Sequence, residues 1–163
     1  MNGLTKERMA DIYQRNCDMV YRVCLIHMKH EQDALDAVSE TFVRLFRKNP
    51  EFIDLEHEKA WLIRTAVNYC KDMQKSFWKR KRNIYDETTE MMLQSVAVPD
   101  KDTELLQAVW RLPSKYADLL YLHYYEGYTI EELAEIMHKN PSTLRSRLSR
   151  ATDLLRKELE QNG

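Results

Sequence analysis

The chain has 163 residues, 44% of them hydrophobic and 31% charged, and its formal net charge is −1. These values indicate one or two compact domains and exclude a polycation that binds nucleic acid strongly without a partner. With only 3 Gly and 4 Pro and no alternating β-branched runs, the sequence predicts an all-α protein. The longest stretch without Asp, Glu, Lys or Arg, residues 91–99, is too short to cross a bilayer. Because the N-terminus also lacks the apolar core of a signal peptide, we expect no membrane insertion and a cytoplasmic location.

Two helices are predicted first, over about residues 5–29 and from about residue 33 to just before Pro50. The side chains of the second helix expected to face the core are Leu35, Val38, Phe42, Leu45 and Phe46. Asp36, Ser39 and Glu40 then fall on its outer face. An acidic patch of this kind is typical of a solvated surface.

A long helix beginning near Glu58 carries a basic stripe. The stripe recurs every three or four residues and consists of Arg64, Asn68, Lys71, Lys75, Lys79 and Arg82, with Trp78 and Arg80 beside it. Bases next to an aromatic side chain can hold a nucleic-acid backbone and stack on unpaired bases. The alternative is a solvated face, but such a face usually mixes signs, and only Asp72 intrudes here. Trp61 is expected to be a core anchor, as are Leu62, Ala66 and Cys70.

Charge is segregated along the chain. Residues 71–82 carry six bases and one acid, whereas residues 86–104 carry six acids and one base. The acidic stretch lacks a sustained period, so residues 84–101 are predicted to link two small helical domains, 1–83 and 102–163. In the second domain one helix is expected to end at Leu112-Pro113. The next, capped by Ser114, turns Tyr124 inward and closes at a left-handed Gly127.

Residues 128–150 predict a helix-turn-helix. Thr129 and Glu132 have the spacing of a capping box, and Asn140-Pro141 has the sequence of an N-cap followed by N1. The second helix presents a face of short polar residues and arginine, made of Ser142, Thr143, Arg145, Ser146, Arg147, Ser149 and Arg150. Such a face can approach base edges and phosphates. The alternative is an ordinary helical hairpin with a solvated basic face.

Chemistry of other kinds is not expected. The 3 Cys have no paired spacing and predict free core thiols. Cys24, His27 and His30 drift around one helix without a fourth ligand, so we expect neither a metal nor another cofactor. Without a nucleophile–base pair or a phosphate-binding glycine loop, no catalytic residue is predicted, and the chain is not expected to be an enzyme.

Taken together, residues 33–46, 60–82 and 112–151 resemble a bacterial RNA polymerase sigma factor of the extracytoplasmic-function type. The resemblance extends over about residues 9–159. It implies that Asp36, Ser39 and Glu40 contact the largest subunit of core RNA polymerase, although the family usually has Gln at Ser39. It also implies that the basic stripe opens and reads the −10 promoter element, and that the arginine–serine face reads the −35 element. The family usually has Gly where His138 stands in the turn.

The partners implied are core RNA polymerase, promoter DNA and an anti-sigma protein. On this hypothesis the positive charge lies on two separated surfaces, and the polymerase holds both at a fixed distance from each other. The competing hypothesis is a stand-alone helix-turn-helix regulator that acts without polymerase. It leaves the basic stripe at 64–82 without a role.

Overall fold

The fold of this computed structural model is built from helices throughout the residues it describes, 3–78 and 103–162, with side chains described for 5–75 and 104–161. The helices are α1 (Gly3–Met28), α2 (Glu31–Lys48), α3 (Leu55–Trp78), α4 (Thr103–Arg111), α5 (Ser114–Leu120), α6 (Ile130–Met137) and α7 (Pro141–Asn162), and a π-helical turn (Tyr121–Tyr125) continues α5. We call α1–α3 the N-terminal bundle and α4–α7 the C-terminal bundle. The all-α prediction is confirmed. The predicted linker, 84–101, lies outside the described residues.

The N-terminal bundle packs the predicted apolar stripes of three long helices. Leu62, Ala66 and Cys70 of α3 are fully buried, as expected. The expectation that Leu35 and Phe46 of α2 face the core is wrong, because they are 41% and 48% exposed. Helical periodicity identifies the apolar side of a helix, but it does not tell how wide a strip the neighbouring helices cover.

The C-terminal bundle departs from ideal helical geometry after α5. In the π-helical turn the Glu126 N–H donates to the Tyr121 carbonyl, five residues back, at 3.2 Å. Because a π-helical turn is wider than an α-helical one, side chains within it depart from the helical period. Tyr124 lies within this turn and is 57% exposed, although it was expected to face inward. Gly127 then adopts the predicted left-handed conformation, with φ of 79°.

The two bundles lie against each other, and their buried apolar side chains form one contiguous cluster. Trp110 of α4 is fully buried, and its indole Nε1–H donates to the Leu25 carbonyl of α1 at 3.1 Å. Lys29 donates in turn to the Trp110 carbonyl. We term this contact between the bundles the closed arrangement; the sequence did not predict it. Among the described helices, none has the combined length and apolar character needed to cross a membrane.

Candidate nucleic-acid interface

The helix-turn-helix has the predicted local geometry. The Thr129 hydroxyl accepts from the Glu132 N–H at 3.1 Å, and the Glu132 carboxylate accepts from the Thr129 N–H at 2.9 Å, so the capping box is confirmed. His138 ends α6 in the left-handed region with φ of 53°. The Asn140 side chain caps α7 by accepting from the Ser142 N–H at 2.9 Å. Each end of the turn is therefore fixed by hydrogen bonds within a few residues.

α7 presents the predicted polar face to solvent. Leu144 and Ala151 on its opposite side are fully buried. The face residues Ser142, Thr143, Arg145, Ser146, Ser149 and Arg150 are exposed, and Arg147 is half-buried. Arg145 keeps 59% of its side chain exposed and lies 3.6 Å from Glu131 of α6. This surface pair leaves the guanidinium accessible because exposed ion pairs contribute little stability.

The basic stripe of α3 is divided between solvent and the C-terminal bundle. Asn68 and Lys75 are exposed, and Lys71 is half-buried. Arg64 instead donates from Nε to the Ile136 carbonyl at 2.8 Å and from a terminal nitrogen to the Glu135 carbonyl at 3.0 Å. These carbonyls belong to the last turn of α6, where helical N–H partners are missing. The Trp78 side chain, Lys79, Arg80 and Arg82 lie outside the described residues.

The closed arrangement brings the two basic faces to one cleft of about 360 Å³. The cleft is lined by Lys71, Gln74, Lys75, Lys115, Lys139 and Arg147. Burial lowers the pKa of Lys71, and the neighbouring charges of Lys139 and Arg147 lower it further. The expectation of two separated basic places therefore does not describe the closed arrangement, in which α3 and α7 face the same cleft.

A buried polar network joins the bundles beside this cleft. His27 of α1 has Nδ1 2.5 Å from Asp118 Oδ2 and Nε2 2.9 Å from Gln74 Oε1. The Gln74 amide nitrogen donates to the His27 carbonyl and to Ser114 Oγ, which fixes the orientation of the amide. Both ring nitrogens of His27 thus face acceptors, so the ring is a charged imidazolium paired with Asp118. Burial alone would lower the pKa of His27, but the Asp118 carboxylate raises it above the ordinary value.

Ser114 therefore does not cap α5 as expected. Its hydroxyl donates to the His27 carbonyl at 2.6 Å, while the α5 N-cap position is Pro113, which makes no side-chain cap. The sequence reasoning also missed His27 and Asp118 as structural partners. The only signal for them was a histidine inside an otherwise apolar run at residues 23–28.

A second network joins the bundles through Glu126. Tyr121 donates its hydroxyl to Glu126 at 2.6 Å and accepts from Arg22 Nε at 2.7 Å. Lys59 of α3 lies 2.8 Å from the same carboxylate. Burial would raise the pKa of Glu126, but the hydrogen bonds from Lys59 and Tyr121 lower it below the ordinary value. Glu126 is thus an anion that holds groups from α1 and α3 on the C-terminal bundle.

The outer face of α2 combines acidic and apolar side chains. Asp36 and Ser39 are exposed, and Glu40 is half-buried and pairs with Arg44 at 3.3 Å. Beside them the apolar side chains of Leu35, Val43 and Phe46 are 41%, 40% and 48% exposed. Large apolar groups exposed together often mark a docking surface. Helical periodicity predicts Leu35 and Phe46 in the core, and no prediction is made for Val43.

The residues considered as metal ligands do not converge. Cys24 is buried, His27 is engaged by Asp118, and His30 lies 3.7 Å from Asp33. Over residues 3–78 and 103–162, no three His, Cys, Asp or Glu side chains are grouped so that they could hold a metal ion. The described cysteines are free thiols.

Comparison with known proteins gives matches over most of the chain. The family model for Sigma-70 region 2 matches residues 12–83, and that for Sigma-70, region 4 matches residues 102–155. The chain is 33% identical over 148 residues to the RNA polymerase sigma factor SigV of Bacillus subtilis, covering 85% of this chain and 83% of that protein. It is 26% identical to the ECF RNA polymerase sigma factor SigW of the same species, with 94% and 90% covered. The solved structure of the sigma factor RpoE in complex with the anti-sigma factor NepR, from Bartonella quintana, has the same fold, with a TM-score of 0.67 at 17% identity over 95% of this chain and 96% of that one.

Proposed function

This chain belongs to the sigma-70 family of RNA polymerase sigma factors, and we propose that α3 and α7 are its two promoter-reading elements. As a sigma factor it directs promoter-specific initiation of transcription. The observation that carries the proposal is the exposed arginine–serine face of α7, opposite a fully buried side. A helix built this way can enter a major groove while its other side stays packed.

The α7 face is proposed to read the −35 element as intact duplex. Arg145 extends from the exposed side of the helix and can form a forked contact with guanine or with a phosphate. Ser142, Thr143, Ser146 and Ser149 are short enough to let the helix approach the bases closely. Arg147 and Arg150 are proposed to contact DNA beside them.

The α3 stripe is proposed to capture the −10 element after the strands separate. Opening requires each captured base to give up stacking worth a few kcal/mol, so basic and aromatic side chains must offset that loss. Asn68 and Lys75 are exposed and available for this role. Arg64 would have to leave its hydrogen bonds to α6, and the half-buried Lys71 would have to become exposed. In the sequence, Lys79 and Arg82 continue the spacing of the stripe, and Trp78 and Arg80 lie next to them along the chain.

The α2 outer face is proposed to dock on core RNA polymerase. Asp36, Ser39 and Glu40 supply polar contacts, and the exposed Leu35 and Phe46 supply apolar area on the same face. A surface that combines apolar area with polar contacts suits a stable protein partner. Ser39 stands where the family usually has Gln, and its shorter side chain reaches less far towards the polymerase.

The closed arrangement cannot read both elements at once. The −10 and −35 elements are roughly 25 base pairs apart, or about 85 Å of duplex at 3.4 Å per base pair. In the closed arrangement α3 is hydrogen-bonded directly to α6. We therefore propose that polymerase separates the bundles and holds each at its own promoter element.

The remaining assignments follow from family membership. We propose a cytoplasmic location and assign no cofactor, metal or catalytic residue. An anti-sigma protein is proposed as a further partner, because the structurally similar sigma factor RpoE was solved in complex with the anti-sigma factor NepR.

The function is tested by run-off transcription with purified core polymerase. The wild-type chain should direct initiation from a specific promoter. The double variant Asp36→Arg, Glu40→Arg should lose polymerase co-purification and transcription while keeping its helical content. The matched control is Glu7→Arg, Asp11→Arg, which reverses two exposed acids with the same spacing on α1 and should retain both activities. Tight sequence-specific binding to duplex DNA without polymerase, and no initiation with it, would favour the stand-alone regulator instead.

A further inference from the structure

The basic cleft between the bundles has an unusual set of lining side chains. Lys71 and Lys75 come from α3, Lys115 from α5, Lys139 from the turn and Arg147 from α7, around a volume of about 360 Å³. The sixth lining residue is Gln74, and no carboxylate lines the cleft. Within the part of the chain that the structure describes, none of the five cations forms an ion pair.

Repulsion among these five positive charges disfavours the closed arrangement, which brings them together. Moving α3 against α7 concentrates like charges, and like charges close together raise the free energy of the charged state. The lowered pKa of Lys71 reflects burial together with Lys139, Arg147 and Lys75, although the buried Asp118 attracts it. The shared apolar cluster and the hydrogen bonds around His27 and Glu126 must therefore hold the bundles together against this repulsion.

We propose that the cleft binds a compact anion carrying two or more phosphate groups, and that the anion bridges the two bundles and favours the closed arrangement. A single negative charge would leave most of the five positive charges uncompensated. Lysine supplies point charges and arginine a fork that matches phosphate oxygens. The volume is within the range of pockets that hold small ligands, roughly 300–1,000 Å³. Gln74 lies in both the cleft and the His27 network, so occupancy of the cleft is coupled to the contact between the bundles.

Two of the five cations distinguish this site from the proposed DNA contacts, because they belong to the cleft alone. Lys71, Lys75 and Arg147 belong to both sets, whereas Lys115 and Lys139 belong only to the cleft. Both are exposed, so removing their charge should not disturb folding. A nucleic-acid backbone offers the same phosphate chemistry, and the experiment must distinguish it from a small anion.

The first measurement is calorimetric titration of the full-length chain with sodium tripolyphosphate at fixed ionic strength. We expect one site per chain, and in Lys115→Gln, Lys139→Gln about 100-fold weaker binding, which is roughly tenfold for each charged hydrogen-bonding partner removed. The matched control, Lys48→Gln, Lys157→Gln, removes two exposed lysines outside the cleft and should bind within about twofold of wild type. An equal loss of affinity for tripolyphosphate in the two double variants would show general electrostatic attraction rather than a site, and would overturn the proposal. Full displacement of tripolyphosphate by sulfate at the same ionic strength would overturn it for the same reason. Binding of single-stranded oligonucleotide without binding of tripolyphosphate would also overturn it.

The second measurement tests the bridging itself. The Trp110 indole N–H donates to the Leu25 carbonyl of the other bundle, so its hydrogen exchange, followed by NMR, reports separation of the bundles. A ligand that binds only the closed arrangement at 100 times its dissociation constant should slow this exchange about 100-fold. The slowing should disappear in Lys115→Gln, Lys139→Gln and persist in Lys48→Gln, Lys157→Gln. Saturating tripolyphosphate that leaves the exchange rate unchanged would refute the bridging role.

Discussion

Replacing Asp118 by Asn tests whether the buried charge pair holds the two bundles together. In the wild type both His27 ring nitrogens face acceptors, Asp118 at 2.5 Å and Gln74 at 2.9 Å. In the Asp118→Asn variant the ring loses its counter-charge. A neutral ring can keep both hydrogen bonds only if Nε2–H donates to Gln74 and the new amide nitrogen donates to Nδ1 from the position of Asp118 Oδ2. Gln74 cannot donate to the ring without giving up its bonds to the His27 carbonyl and Ser114.

The expected cost follows from two known magnitudes. Leaving one buried polar group unsatisfied costs about 1–3 kcal/mol, and removing one partner of a buried ion pair costs about 3–5 kcal/mol. Because His27 can lose its proton and the new amide can donate to Nδ1, we expect Asp118→Asn to lower the free energy of unfolding by about 2 kcal/mol, within the first range. The assay is equilibrium unfolding in urea, with the melting temperature as a second readout, expected to fall by about 4–8 °C.

The chain provides a matched control for this experiment. His30 and Asp33 form a pair of the same residue types at 3.7 Å, but their side chains are 48% and 24% exposed. Asp33→Asn should therefore change the free energy of unfolding by less than about 0.5 kcal/mol. If Asp118→Asn lowered the free energy of unfolding by no more than Asp33→Asn does, the charged, structural role assigned to His27 would be refuted.

The buried pair of His27 and Asp118 also predicts that stability depends on pH. Because Asp118 raises the folded-state pKa of His27 above its ordinary value, the stabilisation is fully present below about pH 6.5 and is lost as pH rises through the folded-state pKa. Urea unfolding between roughly pH 6 and pH 9 should therefore show stability falling in the wild type. The fall should largely disappear in Asp118→Asn; an identical slope in both proteins would contradict the pairing.

Three further predictions concern single sites. Arg145→Ala should weaken use of the −35 element by roughly 1–3 kcal/mol at one base position in a run-off assay, whereas a uniform loss at all sequences would mark a phosphate contact. His138→Gly should raise the free energy of urea unfolding by up to about 1 kcal/mol, because φ of 53° strains any residue but Gly; a loss would show that the imidazole is needed. Burial would raise the pKa of Glu58, but hydrogen bonds from Arg15 and Asn16 lower it, so its stabilisation is present above the ordinary pKa and lost as pH falls through the folded-state value. Glu58→Gln should therefore make acid unfolding less steep, and an unchanged acid transition would contradict this.

The helix-turn-helix could be predicted from the sequence because its determinants are local. The capping box joins Thr129 to Glu132, three residues apart, and the Asn140 side chain accepts from the Ser142 N–H, two residues along the chain. Interactions over such short separations leave a pattern that can be read directly. Even the non-Gly residue His138 was interpretable, because histidine enters the left-handed region more readily than most residues.

The contact between the bundles could not be predicted because its partners are far apart in sequence. His27 and Asp118 are separated by 91 residues, and Arg64 lies 72 residues from the Ile136 carbonyl that it binds. The sequence alone does not distinguish an aspartate that is buried in the fold from one that is exposed to solvent. The exposure of Phe46 was missed for a related reason, since an apolar face is recognisable in sequence but the partner that covers it is not.

Arg64 connects the closed arrangement to promoter recognition, because one guanidinium cannot serve two sets of acceptors. Its bonds to the Glu135 and Ile136 carbonyls are charge-assisted, and each such bond contributes about 1.5–3 kcal/mol. A closed state favoured by even 3 kcal/mol would weaken the apparent affinity of the proposed promoter-reading form by roughly 150-fold. On the proposed assignments, polymerase would supply that free energy through its contacts with α2. The same arginine that α3 is proposed to use at the −10 element would then hold the free chain in the closed arrangement.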